Sequence, residues 1–180
     1  MKTYFILFLL MMVHAGVLAQ ETFTPPRFVK KPVGNSGCFA YLPDDQTPKN
    51  FDISYSPDSS KLYTGDFSSG EFHYSLIVVK LKEKISGTRT EMEDLLIAYL
   101  DYLQTSFNIT NTTGYGKGHI LKDAPDAIGV LDYWEDSEDD SWVVKGWTNG
   151  SIMAVMMVYG PREYPNQNAL DLFLNGFRFK

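Results

Sequence analysis

The stretch Ile152 to Tyr159 is apolar on both faces of an extended chain. Alternation puts Ile152, Ala154, Met156 and Val158 on one side and Met153, Val155, Met157 and Tyr159 on the other. A strand like this cannot leave one face in water. It belongs in the middle of a sheet, with further layers above and below. Gly160-Pro161 ends it, and Asn149-Gly150 ahead of it is the strongest short hairpin signal in the chain. The three methionines Met153, Met156 and Met157 read as core filling rather than as a binding surface.

Several other runs fit the same sheet. Trp142 to Thr148 and Ala127 to Trp134 precede the hairpin, joined by the acidic stretch Glu135 to Asp140. Phe72 to Leu81 is a long strand, apolar on both faces in its second half. Shorter strands are predicted at Gly37 to Pro43, at Leu62 to Phe67 and near His119-Ile120-Leu121. In Phe51 to Tyr55 the alternation of Phe51, Ile53 and Tyr55 predicts a half-buried strand. Gln20 to Ser36, with three prolines and little periodicity, reads as a partly disordered lead-in segment, Asp44 to Lys49 as a polar turn, and Asn111 to Gly118 as a loop.

Two helices are predicted. Thr90 and Glu93 have the spacing of a capping box, and Met92, Leu95, Leu96, Tyr99, Leu100, Leu103 and Phe107 follow as one apolar stripe. A second helix runs from about Asn166 to Asn175, with Ala169, Leu170, Phe173 and Leu174 on its buried face and Gly176 as its C-terminal glycine. No internal repeat, low-complexity tract or linker interrupts the pattern. The expected fold is a single α+β domain over residues 37–180, a mostly antiparallel sheet flanked by helices.

Residues 1–19 have the pattern of a cleaved secretory signal peptide: Lys2, the apolar run Tyr4 to Val13, and Val17-Leu18-Ala19 before a cut at Gln20. Ten apolar residues fall short of the roughly 20 that a membrane span needs. No cysteine follows the cut to accept a lipid. The expectation is therefore a soluble exported protein, periplasmic or secreted. Lys2 leaves with the signal, so 15 basic residues face 22 acidic ones in the remaining 161, a formal charge of −7. That balance argues against nucleic acid and against an anionic membrane surface as partners. Cys38 is the one cysteine, which excludes an intrachain disulfide and fits a bacterial exported protein better than a small secreted animal domain. Its apolar neighbours make it a buried small side chain. Asn108, Asn111 and Asn149 stand in glycosylation sequons, which matter only in a eukaryotic secretory route.

Phe39 to Pro43 has a Phe-x-x-x-Pro pattern, and Ala169 to Phe177 reads Ala-Leu-x-x-Phe-Leu-x-x-Phe. Together with the order of elements between them, these resemble the PsbP-like α/β/α sandwich, found in many exported bacterial proteins and in an extrinsic subunit of photosystem II. The resemblance spans Gly37 to Phe179. It implies a non-catalytic binding or assembly-support role and supplies no catalytic residues; nothing in this chain ties it to photosynthesis.

No catalytic constellation emerges from the residues. Gly-x-Ser-x-Gly is absent, and Gly114-Tyr-Gly116-Lys-Gly118 lacks both the order and the following helix of a phosphate loop. His73 and His119 have no ligand-type neighbours at zinc spacing. Asp132, Glu135, Asp136, Glu138, Asp139 and Asp140 crowd one stretch, and Glu135, Asp136, Glu138, Asp139 and Asp140 are weak calcium candidates. The order of an EF-hand is missing, and a solvated hairpin tip is the better reading. No metal or other cofactor is expected.

Aromatics remain as candidate ligand contacts. Tyr133, Trp134, Trp142 and Trp147 crowd the meander around the acidic turn, and alternation puts Trp142 and Trp147 on opposite faces, so one of them is expected to face outward. The first functional reading is a non-catalytic exported binding or accessory protein for a small molecule or a protein. The alternatives are a structural or assembly protein working through flat contacts and an enzyme, such as a hydrolase, whose residues converge only in three dimensions.

Overall fold

A computed structural model describes residues 23–44 and 51–179. The expected signal peptide, the first residues of the lead-in and nearly all of the polar turn 44–49 lie outside the described residues. Along the rest run β1 (Phe28–Pro32), β2 (Phe39–Pro43), β3 (Asp52–Tyr55), β4 (Lys61–Ser69) and β5 (Phe72–Lys80). Then come α1 (Arg89–Ser106), β6 (Ile109–Thr112), β7 (Gly116–Leu121), β8 (Ala124–Asp136), β9 (Ser141–Thr148), β10 (Ile152–Gly160) and α2 (Gln167–Leu174).

The doubly apolar strand lies where its pattern requires. Eight strands form one sheet in the order β3-β4-β5-β10-β9-β8-β6, with β7 also paired to β8. Every pairing is antiparallel, and β10 sits between β5 and β9. Every residue of β10 is buried except Tyr159, which is partly so. One face of the sheet carries Tyr74, Leu76, Trp147, Ala154 and Met156 and packs under α2, Phe177 and the β1–β2 ribbon. The other carries Val130, Val144, Val155 and Met157 and packs under Leu96, Leu100 and Leu103 of α1. Each fully buried aliphatic or aromatic side chain contributes about 1.5–3 kcal/mol. The fold is α+β, a large antiparallel sheet with one helix on either face and the two-stranded β1–β2 ribbon beside α2.

Local chemistry sets the ends of the elements. Asn149 Oδ1 accepts from the N–H groups of Ser151 and Ile152 at 3.0 Å each, which closes the β9–β10 turn. Gly150 takes a left-handed φ of 82° there, and a Cβ on it would meet the Ile85 carbonyl oxygen at 2.3 Å. The α1 capping box forms two residues earlier than expected. Thr88 is the N-cap, reciprocally bonded with Glu91, because Thr88-x-x-Glu91 fits the motif as well as Thr90-x-x-Glu93. Glu93 is thereby released to a tertiary role. Its buried carboxylate accepts from the Gly118 N–H at 3.0 Å.

Four expectations need correction. The stretch Asn111 to Gly118 is a loop only in its middle, because β6 and β7 take up its two ends and both pair with β8. The lead-in is ordered in its second half, because β1 pairs with β2 from Phe28↔Pro43 to Pro32↔Phe39. Pro32 is tolerated at the end of a two-stranded ribbon, and Phe28 packs edge-on to Tyr74. β3 is exposed along its whole length, not half-buried, because it is the outermost strand of the sheet; only Phe51, just before it, is buried. Gly176 does not take left-handed backbone. A Cβ there would lie 2.1 Å from the Leu172 oxygen and 2.7 Å from Tyr41, so close approach, not capping, requires the glycine.

Gly129 and Trp147 face each other across β8 and β9, and a Cβ on Gly129 would fall 2.3 Å from the indole ring. The indole Nε1 donates to the Leu174 oxygen at 2.8 Å, so the ring cannot swing aside without losing that bond. Gly129→Ala is expected to destabilise by about 3 kcal/mol. In a Trp147→Leu background the same change should cost less than half as much. Urea unfolding of the four proteins of this cycle measures the coupling, and additive costs would contradict the packing.

Candidate functional site

A cleft of about 500 Å³ opens at the end of the sheet where α2 begins. Its floor is Tyr133 of β8, Ser141 and Val143 of β9 and Val158 of β10, and the edge strand contributes Asn111 and Thr112 with Thr113 after it. Phe72, Glu163, Tyr164, Gln167 and Leu170 form the opposite wall. The register explains the floor. Tyr133 pairs with Val143, and Val143 with Val158, so all three side chains share the α2 face.

An aromatic cluster fixes the wall. Tyr164 lies 4.9 Å from Phe72 between ring centroids, and its hydroxyl meets that of Tyr74 at 2.8 Å. Burial pushes both phenols above their usual pKa. Asn166 caps α2 by accepting from the Ala169 N–H at 3.0 Å, which sets where the helix starts and so where Gln167 and Leu170 stand.

The aromatic candidates separate. Tyr133 lines the cleft and is 48% exposed. Trp134 and Trp142 also border it, but their rings are buried on the α1 face. Trp147 lies deep on the α2 face, away from the cleft. The expectation that Trp142 or Trp147 faces outward is therefore corrected. They do sit on opposite faces, but a layer covers each face. Trp142 is stacked 3.9 Å from Tyr159, which in turn stacks on His73. Its Nε1 donates to Asp136 Oδ2 at 2.9 Å.

That last bond defines the acidic stretch. Asp136 Oδ1 accepts from the N–H groups of Glu138 and Asp140 at 2.8 and 3.1 Å, so this carboxylate closes the β8–β9 turn. Asp139 takes a left-handed φ of 64° in that turn. Burial first, and the Asp136 charge second, raise the Asp140 pKa. Among the described residues, no three His, Cys, Asp or Glu side chains converge as metal ligands, Glu135, Glu138 and Asp139 included.

Two further charges are buried: Asp132, expected from the sequence to belong to the solvated acidic stretch, and Lys145, which the sequence did not single out. Asp132 is 1% exposed and accepts four hydrogen bonds. Its Oδ1 takes the N–H groups of Gly114 and Tyr133, at 2.9 and 2.8 Å. Its Oδ2 takes Trp134 Nε1 at 2.7 Å and Gln104 at 3.5 Å. The carboxylate thus ties the loop beside the cleft to α1. Lys145 is 6% exposed, with Nζ 2.7 Å from Asn175 Oδ1, 3.3 Å from His119 Nδ1 and 4.8 Å from the Trp147 ring centroid. The signal for both was a charged residue at an apolar place in the alternation, Val130-x-Asp132-x-Trp134 and Val143-x-Lys145-x-Trp147. Cys38 is buried, and burial raises its thiol pKa, which disfavours the reactive thiolate.

No protein-family model matches this chain, and no curated protein matches it. No described helix is long and apolar enough to cross a membrane.

Burial lowers the Lys145 pKa to about 8. The unfolded chain keeps its proton up to the ordinary value of 10.5, so between those limits it binds more protons than the folded state. The Lys145 contribution therefore destabilises fully below pH 8 and fades as pH rises towards 10.5. Lys145→Met removes this dependence. Relative to the variant, the natural protein should gain up to about 3 kcal/mol between neutral and alkaline pH, as denaturant unfolding reads it. A gap that stays constant across that range would show the amine to be well solvated.

Proposed function

We propose that this chain is an exported, non-catalytic binding protein, periplasmic or secreted, whose cleft beside Tyr133 takes a small ligand. The observation that carries the reading is that cleft of about 500 Å³, walled by aromatic rings and edged by amides and carboxylates. Ligand sites usually have such a volume, and here the exposed lining is somewhat more polar than apolar, with aromatic rings set among amides, hydroxyls and carboxylates. The wall is pre-formed, since Tyr164 is fixed by Phe72 and Tyr74. Residues 1–19 support export through their signal-peptide pattern. The resemblance to the PsbP-like sandwich supports a role without catalysis. So does the placement of His119 and Lys145, the pair best suited to proton transfer, outside the cleft lining.

A protein partner is the second reading, and the edge of the sheet favours it. On β3, Ile53 and Tyr55 are 49% and 67% exposed, beside an edge backbone that another strand can pair with. Thermal unfolding across a panel of sugars, cell-wall fragments, amines and organic acids separates the two. A ligand at 100 times its Kd adds about 2.7 kcal/mol of stability. The cleft reading expects at least one such shift in the natural protein, lost in Tyr133→Ala. A panel without any Tyr133-dependent shift would contradict it and leave the β3 edge as the binding surface.

A further inference from the structure

The charge of the cleft lining is one-sided. Glu135 and Glu163 stand on it from opposite walls, and among the described residues no lysine, arginine or histidine lines it. The cation next in sequence, Arg162, is already engaged. Its Nε donates to Glu71 at 2.7 Å, its second nitrogen makes an ion pair with the same carboxylate, and its guanidinium lies over Phe72. Nothing in the lining therefore neutralises the two carboxylates, and the chain as a whole has a formal charge of −6. An anionic ligand would meet repulsion at close range.

The uncharged part of the lining points the same way. Tyr133 presents a half-exposed phenol ring on the floor and Tyr164 a second ring on the wall. Aromatic faces attract ammonium groups within about 6 Å, by roughly 0.5–2 kcal/mol depending on solvation. Carboxylates and aromatic faces converging on one space form the environment that selects an organic cation over a neutral or anionic molecule of equal size. Asn111 and Gln167 also line the cleft; the Asn111 amide donates to Glu135 at 3.5 Å and the Gln167 amide to Asp171 at 2.9 Å, which leaves their carbonyl oxygens as acceptors for the remainder of such a ligand.

We propose that the cleft binds a small organic cation, a molecule with a primary or quaternary ammonium group on a compact body. This rests on the binding reading above and assigns its ligand class. The ammonium sits between Glu135 and Glu163 against the Tyr133 ring, and the body lies along Tyr164 and Leu170.

Calorimetric titration with four probes of similar size tests it: choline and agmatine as cations, inositol as a neutral molecule and glutarate as an anion. At least one cation should bind and inositol and glutarate should not. Adding salt should weaken the binding, because part of it is Coulombic. Glu135→Gln with Glu163→Gln should weaken it about tenfold, as two partly exposed charge contacts would, and Tyr133→Ala by about fivefold. All three positions are exposed, so thermal unfolding of these variants should match the natural protein. Inositol or glutarate binding that depends on Tyr133 would overturn the cation assignment and leave the cleft as a binding site. Cation binding indifferent to all three substitutions would overturn the assignment by placing the cation elsewhere. Failure of every probe would overturn the assignment too, and the wider ligand panel would then decide whether the cleft binds anything.

Discussion

Burial of one strand from both sides is the constraint on which the rest of this structure depends. β10 has no polar face to offer water, so β5 and β9 must flank it and separate layers must cover it above and below. The covering layers differ. On one face the long helix α1 packs over Val130, Val144, Val155 and Met157, with the rings of Trp134 and Trp142 in the same cluster. The other face carries Tyr74, Phe72 and Trp147 and is closed by a ribbon, a short helix and Phe177 together. Where Trp147 fills the space, the facing position on β8 has to be glycine. Packing density of this kind leaves little freedom for local adjustment.

The cleft follows from the same arrangement. The α2 helix is only eight residues long and cannot cover the whole face. The floor beyond its N-terminus, at Tyr133 and Val143, remains open, and Tyr164 stands beside it. The buried polar groups stiffen the surroundings. Asp132 holds the loop after β6 with a fully occupied carboxylate, and Asp136 staples the hairpin tip to Trp142. Both carboxylates are spent on the protein's own donors. The cleft takes its acidic character from Glu163 and from Glu135, which has a long contact of 3.5 Å from the Asn111 amide.

Patterns within single elements were legible in the sequence, and relations between distant elements were not. The doubly apolar run at 152–159, the Asn149-Gly150 hairpin, both helices and the acidic hairpin tip follow from local periodicity and turn chemistry. The start of α1 was ambiguous because Thr88 and Thr90 both head a capping-box motif; the structure has Thr88 and Glu91 bonded to each other while Glu93 turns to Gly118. β1 was hidden because Pro25 and Pro26 before it and Pro32 at its end mimic a linker, while its partner strand lies a full turn away in the chain. Exposure of β3 depends on its edge position, which alternation does not encode. The same holds at the site. Tyr133 could be singled out as one of four crowded aromatics, but Phe72, Glu163 and Tyr164 reach the cleft from other parts of the chain. The outward face expected for Trp142 or Trp147 failed for a related reason: alternation assigns a face, and only the packing of layers decides whether that face is wet.

Residue-resolved native-state hydrogen exchange tests the central claim most directly. If burial of β10 on both faces holds the fold together, the amides of Ile152 to Val158 should exchange only through global unfolding, at the free energy that denaturant titration gives. The amides of β3 and of the 161–166 segment beside the cleft should open well below that limit. β10 amides that exchange through local opening as easily as those of β3 would contradict the account.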